Sequence, residues 1–132
     1  MFGKKAQPPI KSLIAQGTRI DGDLKFNEGL RIDGEVFGDI RATADTSSML
    51  VISEAAVVQG EVQADHVIVN GTVRGPVIAK ELLELQPKAR IEGDVSYMAL
   101  EMHQGAVISG QLMPLMVGAD EKPLLKLASK SA

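Results

Sequence analysis

One short phrase occurs six times in the sequence, and it limits the folds open to this chain more than any other feature. In each copy an apolar residue stands two places before a glycine, and another stands two places after it. Apolar residues at every second position are typical of a β-strand with one buried face. A glycine inside such a pattern lets the backbone bend where a side chain would obstruct it. Each phrase therefore predicts a strand that turns a corner, at Gly22, Gly38, Gly60, Gly75, Gly93 and Gly110.

The distance between these phrases indicates a coil. Successive glycines lie 16, 22, 15, 18 and 17 residues apart, which is close to 18 residues per repeat. That length is too short for two helices and a turn, and the segments between the glycines are rich in Val, Ile and Leu, so a helical repeat is disfavoured. Three short parallel strands per turn, stacked with their apolar alternates inward, fit the period. We therefore expect an all-β, single-domain parallel β-helix (β-solenoid) of about six turns.

The core of such a coil is predicted from the apolar residues that recur in register. It should be aliphatic, because 45% of the residues are hydrophobic but only 3% are aromatic. Residues 82–85 are predicted to be a strand, since Pro87 leaves no length for a helix, and the small polar residues 42–48 are predicted to form an outward loop. The residues predicted to be buried are Ile20, Leu24, Ile32, Val36, Ile40, Val58, Val62, Val69, Val73, Val77, Ile91, Val95, Ile108 and Leu112.

Three segments are expected along the chain. Pro8 and Pro9 disfavour regular structure near the start, so residues 1–16 are predicted to be a flexible leader. Residues 17–117 form the predicted β-helix domain, and residues 118–132 are predicted to be a disordered tail. There is no run of 18 apolar residues and no apolar segment near the first residue, so neither a membrane span nor a secretion signal is expected.

Charge is distributed unevenly over these segments. Residues 1–19 carry a net charge of +4, residues 20–118 carry -8 and residues 119–132 carry +1. An acidic body should not wrap nucleic acid, because phosphate binding needs a basic face. The absence of cysteine excludes disulfides and thiolate metal sites and fits a reducing compartment.

The recurring phrase also gives the chain a family resemblance. Its fullest copies are residues 19–24 (Arg-Ile-Asp-Gly-Asp-Leu), 31–36 (Arg-Ile-Asp-Gly-Glu-Val) and 90–95 (Arg-Ile-Glu-Gly-Asp-Val). Repeated on a pitch near 18 residues in one small domain, this phrase resembles the bactofilins, which are polymer-forming bacterial cytoskeletal proteins. The resemblance covers residues 17–117, and the start of the leader, Met-Phe-Gly-Lys-Lys, is similar to the membrane-targeting peptide of many members.

This resemblance implies a structure and a role. The implied structure is a right-handed β-helix that polymerises end to end, without nucleotide or other cofactor, into filaments with no plus and minus end. Members act as scaffolds in cell shape and in placing cell-wall enzymes. The implied partners are copies of the chain itself, the inner membrane surface and cell-wall or morphogenesis proteins, but not nucleic acid. The resemblance thus implies a cytoplasmic cytoskeletal protein, peripheral to the inner membrane, and not an enzyme.

The residues expected to carry this role lie at the ends of the coil and in the leader. A solenoid end leaves backbone groups unpaired and the core uncovered unless a polar cap covers it. The apolar tract at the last turn has no capping helix after it in the sequence. Met1, Phe2, Lys4 and Lys5 would bind the membrane by apolar insertion and by attraction to anionic lipid. The predicted polymer contacts are Leu112, Met113, Leu115 and Met116 at one end and Ile14, Ile20, Leu24 and Phe26 at the other.

A β-helical enzyme is the alternative. Hexapeptide acyltransferases also complete a turn in about 18 residues, but their six-residue pitch fails after Ile32, because Gly38 takes the next position. Such enzymes need a histidine base at a subunit cleft, and the two candidates, His66 and His103, are both predicted to be surface residues. No phosphate-binding loop and no calcium-binding glycine repeat occurs. No catalytic, cofactor-binding or metal-ligating residue is therefore predicted, and an acyltransferase or carrier with an unrecognised site stays the alternative.

Overall fold

A computed structural model describes residues 8–44 and 46–115, together with the backbone of residues 124–127. These residues form sixteen strands and no helix. In chain order the strands are β1 (Ile10–Ile14), β2 (Arg19–Asp21), β3 (Leu24–Phe26), β4 (Gly29–Ile32), β5 (Glu35–Phe37), β6 (Ile40–Ala42), β7 (Met49–Ile52), β8 (Val57–Gln59), β9 (Val62–Val69), β10 (Thr72–Arg74), β11 (Val77–Leu85), β12 (Arg90–Glu92), β13 (Val95–Met102), β14 (Val107–Ser109), β15 (Leu112–Pro114) and β16 (Leu124–Leu127).

The strands stack in three columns, which we call faces. Face 1 consists of β2, β5, β8, β10, β12 and β14. Face 2 consists of β3, β6, the first parts of β9, β11 and β13, and then β15. Face 3 consists of β1, β4, β7, the second parts of β9, β11 and β13, and then β16. We call one turn of the coil, with one strand on each face, a rung.

Every strand pair in the described chain is parallel, and consecutive strands pass from one face to the next. Face 1 alone contains six stacked strands, so the coil has six rungs there. The prediction of an all-β parallel solenoid of about six turns is therefore confirmed. The right hand of the coil stays a prediction that the family resemblance implies.

The glycines of the repeated phrase lie at the corner between face 1 and face 2. Gly60 and Gly75 adopt φ values of 150° and 151°, where a residue with a side chain is strained. A Cβ atom on Gly60 would also lie 2.1 Å from the carbonyl oxygen of Gly38 in the rung before it. The corner therefore needs glycine for two reasons, the backbone conformation and the close stacking of one corner on the next.

An aspartate that follows the corner glycine joins neighbouring rungs. Oδ1 of Asp23 accepts a hydrogen bond of 2.9 Å from the backbone N–H of Asp39, and Oδ1 of Asp39 accepts one of 2.9 Å from that of Glu61. Asp94 accepts in the same way from Gln111, also at 2.9 Å. The acidic residues of the phrase thus satisfy backbone donors at the corner, a role that their placement on the solvent side of the strands does not reveal.

The core is a single aliphatic cluster inside the three faces, and Tyr97 is the one aromatic residue in its buried part. Of the fourteen residues predicted to be buried, ten are buried. Ile20, Leu24 and Ile108 are only half-buried, and Leu112 is 48% exposed. For these four the prediction of burial is wrong, because they lie in the first or last rung, where no further rung of the described residues covers them.

Two strands lie in the segments that the sequence assigns to the leader and to the tail. Strand β1, the first among the described residues, lies within the predicted leader and pairs with β4. Strand β16 lies within the predicted disordered tail and pairs with β13. The predicted strand at residues 82–85 is present as the second part of β11. The predicted loop lies between β6 and β7, where Ser48 and Asp65 exchange hydrogen bonds, and residue 45 lies outside the described residues.

Candidate functional site: the two ends of the coil

The first rung, made of β1, β2 and β3, leaves one edge of each strand without a partner among the described residues. Four of its inward side chains are the predicted polymer contacts at this end. Ile14 lies in register with Ile32, and Ile20 with Val36. All four pack against the core but stay half-buried, because nothing in the described chain lies beneath them; they are Ile14, Ile20, Leu24 and Phe26. The structure therefore brings this predicted set together on one apolar surface, which we call the N-terminal end.

The last strands of the three faces, β14, β15 and β16, form the opposite surface, which we call the C-terminal end. Leu112 lies in register with the buried Val95 and continues the core column to this end. Ile108 continues the column of Ile91 in the same way. The strand β16 covers the second part of β13 by backbone pairing. The C-terminal end thus presents uncovered apolar positions like those of the N-terminal end.

The other predicted polymer contacts at this end do not continue a core column as Leu112 does. Met113 lies in register with Ser96, so it belongs to the outer surface of face 2, where it is 42% exposed. Leu115 follows β15, is half-buried, and its backbone N–H donates a hydrogen bond of 2.7 Å to the carbonyl oxygen of Tyr97. Met116 lies outside the described residues. Ile108 was not predicted as an end residue. It occupies the same apolar position before a corner glycine as the buried core residues, so the pattern alone predicts that it is buried.

The outer surface beside the N-terminal end is polar and partly cationic. Lys11 Nζ lies 2.8 Å from Glu28 Oε1, and Arg19 Nε lies 3.0 Å from Asp21 Oδ1. The Arg19 guanidinium carbon also lies 4.2 Å from the centre of the Phe37 ring. Exposed pairs of this kind contribute little to stability. They surround the apolar end with a charged rim.

The two histidines, the candidate bases of an acyltransferase site, lie at different places on the coil. His66 stands at the first position of its face 3 strand, in register with Met49 and Leu82. His103 follows the end of β13, so the two side chains belong to different columns. Both are half-buried. Burial lowers the pKa of His66, and the nearest carboxylates oppose this effect.

A small cluster of metal-ligand types lies beside His103. The donor atoms of Glu84, Glu101 and His103 all lie within 4.8 Å of one another. The side-chain amide of Gln86 donates a hydrogen bond to Glu84, and His103 Nε2 lies 3.7 Å from Glu84 Oε2. The sequence could have suggested the two carboxylates, since Glu84 and Glu101 are separated by 17 residues, about one turn of the coil. The cluster is partly exposed, and acidic groups of this kind are common without an ion, so it carries no assignment.

The predicted membrane residues, Met1, Phe2, Lys4 and Lys5, lie outside the described residues. The described segments contain no helix that is long and apolar enough to cross a membrane.

Comparisons with known proteins give a consistent family. A family model named Bactofilin, described as polymer-forming cytoskeletal, matches residues 12–113. Bactofilin BacO of Myxococcus xanthus (strain DK1622) is 25% identical over 111 residues, which are 84% of this chain and 85% of BacO. Bactofilin BacP of the same organism is 28% identical over 101 residues, which are 76% of this chain but only 40% of BacP. No solved structure gives a significant match.

Proposed function

Because the chain belongs to the bactofilin family of polymer-forming cytoskeletal proteins, we propose that it assembles end to end, without nucleotide, into filaments that have no plus and minus end. The observation that supports this most is the pair of apolar, uncovered ends of the coil. Neither end has a polar cap among the described residues. Natural solenoids that stay monomeric cover such ends.

The free energy gained by covering one end is similar to the free-energy cost of association, so the contact between two ends should be reversible. Full burial of an Ile, Leu or Phe side chain contributes about 1.5–3 kcal/mol. The four inward residues of the N-terminal end are already half-buried, so covering the rest contributes roughly 3–6 kcal/mol. Each backbone hydrogen bond made by the three open strand edges adds about 0.5–1.5 kcal/mol. Together these offset an association cost of about 4–15 kcal/mol.

The absence of filament polarity is what the family resemblance implies, and it requires two kinds of contact, N-terminal end to N-terminal end and C-terminal end to C-terminal end. A joint between two like ends is isologous, with the same surface on both sides of a two-fold axis. Both ends carry core columns that stop without cover, at Leu24 and Ile20 on one side and at Leu112 and Ile108 on the other. In such a filament, contacts between two N-terminal ends would alternate with contacts between two C-terminal ends. Each contact would bury apolar surface.

Filaments of this kind would lie on the cytoplasmic side of the inner membrane, held by the leader. Met1 and Phe2 would enter the lipid, and Lys4 and Lys5 would pair with anionic head groups. The net charge of +4 over residues 1–19, beside an acidic body, orients the leader toward such a surface. The proposed role is a scaffold that supports cell shape and positions cell-wall enzymes, with no catalysis of its own.

Electron microscopy of the purified full chain without nucleotide tests this proposal. Leu112→Arg places a charge in the end column and should leave short soluble species, whereas Met113→Arg places the same charge one residue away on the outer surface and should leave long filaments. The two positions are exposed to a similar degree, 48% and 42%. Long filaments from Leu112→Arg would move the polymer contact elsewhere. A closed trimer of the unmodified chain would instead favour the enzyme alternative.

A further inference from the structure

The turns that lead from face 3 to face 1 differ in length along the coil. Turns of four residues follow β1, β7, β11 and β13, whereas turns of two residues follow β4 and β9. Each short turn therefore lies between two long turns in the stack and forms the bottom of a recess between them. We call the recess at residues 33–34 recess A and the recess at residues 70–71 recess B.

The two recesses have the same backbone arrangement. A Cβ atom on Gly34 of recess A would lie 2.5 Å from the carbonyl oxygen of Ala15, and one on Gly71 of recess B would lie 2.2 Å from that of Ser53. Ala15 and Ser53 are both the first residue of the long turn before the recess. Residues at the same place in the turns around the two recesses can therefore be compared one by one.

The chain closes recess B with a lysine of its own. Lys88 belongs to the long turn after this recess, and its Nζ lies 3.2 Å from Oε2 of Glu54, which belongs to the long turn before it. The backbone N–H of Lys88 also donates a hydrogen bond of 2.9 Å to Oδ1 of Asn70 in the short turn. The side chain of Lys88 thus crosses the short turn, and its ammonium group joins the two long turns.

Recess A lacks this lysine. The place that Lys88 takes beside recess B is taken by Ala55 beside recess A, and the place of Glu54 is taken by Gln16. A cavity of about 270 Å³ lies in recess A, with Gln16 and Ala55 among the residues that border it. The side chain that closes recess B is therefore missing from recess A, and space is left in its place.

Two carboxylates at this cavity are available to a cation. Asp33 and Glu35 both border it. The Ser53 hydroxyl and Arg31 Nε both donate to Oδ1 of Asp33, so Oδ2 stays available as an acceptor. The carboxylate of Glu35 makes no hydrogen bond or ion pair with another described residue. An incoming donor would therefore find unused carboxylate oxygens here.

The one cation that borders the cavity, Arg19, is held on face 1. Its Nε lies 3.0 Å from Oδ1 of Asp21, and its guanidinium carbon lies 4.2 Å from the centre of the Phe37 ring. The lining thus combines one cation that already has partners with two carboxylates. The body of the chain, residues 20–118, carries a net charge of -8 as well. Both the cavity and its surroundings therefore favour a positively charged ligand.

We propose that recess A binds the ammonium group of a lysine side chain from a partner protein, in the way that recess B holds the ammonium group of Lys88. An ammonium group has three N–H donors, and Asp33 Oδ2, the Glu35 carboxylate and the Gln16 side-chain oxygen are acceptors at the cavity. Hydrogen bonds between charged groups are stronger than neutral ones. The site lies on the side of the coil and goes beyond assembly at its ends.

Saturation-transfer NMR detects such a contact even when it is weak, both on filaments and on single chains. The probe is the peptide acetyl-Gly-Ser-Lys-Ser-Gly-amide, added to the full chain. Its lysine methylene protons should receive at least about threefold more saturation than those of the same peptide with Nε-acetyllysine, which carries no charge. Equal signals from the two peptides would overturn the proposal.

Variants at the cavity assign the signal to recess A. Ala55→Lys puts a lysine where Lys88 stands beside recess B, so it should close the cavity and lower the signal at least about threefold; Ala55→Ser leaves the cavity open and should keep the signal. Glu35→Gln should lower the signal to a similar degree, whereas Glu92→Gln removes the same charge elsewhere on face 1 and should not. An unchanged signal in Ala55→Lys or in Glu35→Gln would overturn the proposal.

Three further chains separate the partner from the chain itself and from the polymer. If a chain without residues 2–8, or one without residues 118–132, binds the peptide more strongly than the full chain, a lysine of this chain occupies recess A and the assignment to a partner is wrong. The Leu112→Arg chain should keep the signal whether or not it forms filaments, because recess A lies on the side of the coil. Loss of the signal there would assign the peptide to the filament instead of the recess.

Discussion

At the scale of single residues, Asp39 connects three successive rungs. Its backbone N–H donates to Asp23, and its carboxylate accepts from the backbone N–H of Glu61. Asp39→Ala would leave the Glu61 N–H at a partly buried corner without its acceptor, which costs about 1–2 kcal/mol of unfolding free energy. Asp39→Asn keeps an amide oxygen in the same place. Urea unfolding should therefore show a clear loss for Asp39→Ala and a smaller one for Asp39→Asn; equal losses would show that the charge matters and the hydrogen bond does not.

We expect His66 to make the unfolding free energy of the coil depend on pH. Burial lowers its pKa below the ordinary value, against the influence of Glu84, Glu81 and Glu101. Well above pH 6.5 the imidazole is neutral in both the folded and the unfolded chain and contributes no pH dependence. As the pH falls below that value, the unfolded chain gains a proton that the folded chain resists. The unfolding free energy should therefore fall, by at most about 1.4 kcal/mol per pH unit.

The comparison of His66→Gln with the unmodified chain isolates this effect, because glutamine does not titrate. Urea midpoints at pH 7.5 and pH 5.5, at one protein concentration, should differ less for His66→Gln than for the unmodified chain. An identical difference for both proteins would assign the pH dependence to other groups.

At the scale of strands, Ile91 and Ile108 offer a matched pair. They are the same residue type at the same position of face 1, one rung apart, in β12 and β14. Ile91 is fully buried, whereas Ile108 is half-buried in the last rung. In the Leu112→Arg chain, which should not form filaments, Ile91→Ala should cost about 2–5 kcal/mol of unfolding free energy, and Ile108→Ala roughly half of that. Chemical unfolding of the two variants checks this, and equal costs would mean that the last rung is covered in solution.

Much of the strand arrangement could be predicted from the sequence, because burial and strand geometry act locally. Alternation fixes which residues point inward, and glycine marks the corner, so the positions around Val58 and Ile91 follow from the pattern alone. The exposure of Leu112 could not be derived in that way, because it depends on what lies beyond the last rung. The same holds for β1 and β16, whose pairing comes from the coil and not from their own residues.

The sequence pattern also could not predict which outward residues stack in one column on the outer surface. Lining up Arg31, Val51, Ile68 and Glu84 requires the register between rungs, and their spacings are 20, 17 and 16 residues. The irregularity between Ala79 and Leu82 shifts the register again within β11. Inward positions tolerate such changes because every apolar side chain finds the same core. Outward positions do not, since their neighbours decide their role.

At the scale of the whole molecule, the proposed assembly and the proposed membrane contact depend on each other. Met1 and Phe2 would together contribute about 3–5 kcal/mol on insertion, and each of Lys4 and Lys5 about 1 kcal/mol near anionic lipid. A single leader would therefore bind weakly and reversibly. In a filament many leaders lie on one rod, and multivalent binding of this kind can exceed the single affinity by a factor of about 10² or more.

Co-sedimentation with liposomes tests whether attachment needs both the leader and the polymer. The full chain should pellet strongly with vesicles containing phosphatidylglycerol and weakly with neutral phosphatidylcholine vesicles. A chain without residues 2–8 should lose this binding while still forming filaments, and the Leu112→Arg chain, with its leader intact, should bind only weakly. Equal pelleting of the full and leader-less chains would refute the anchor. Strong pelleting of Leu112→Arg would keep the anchor but refute avidity, because single leaders would then suffice.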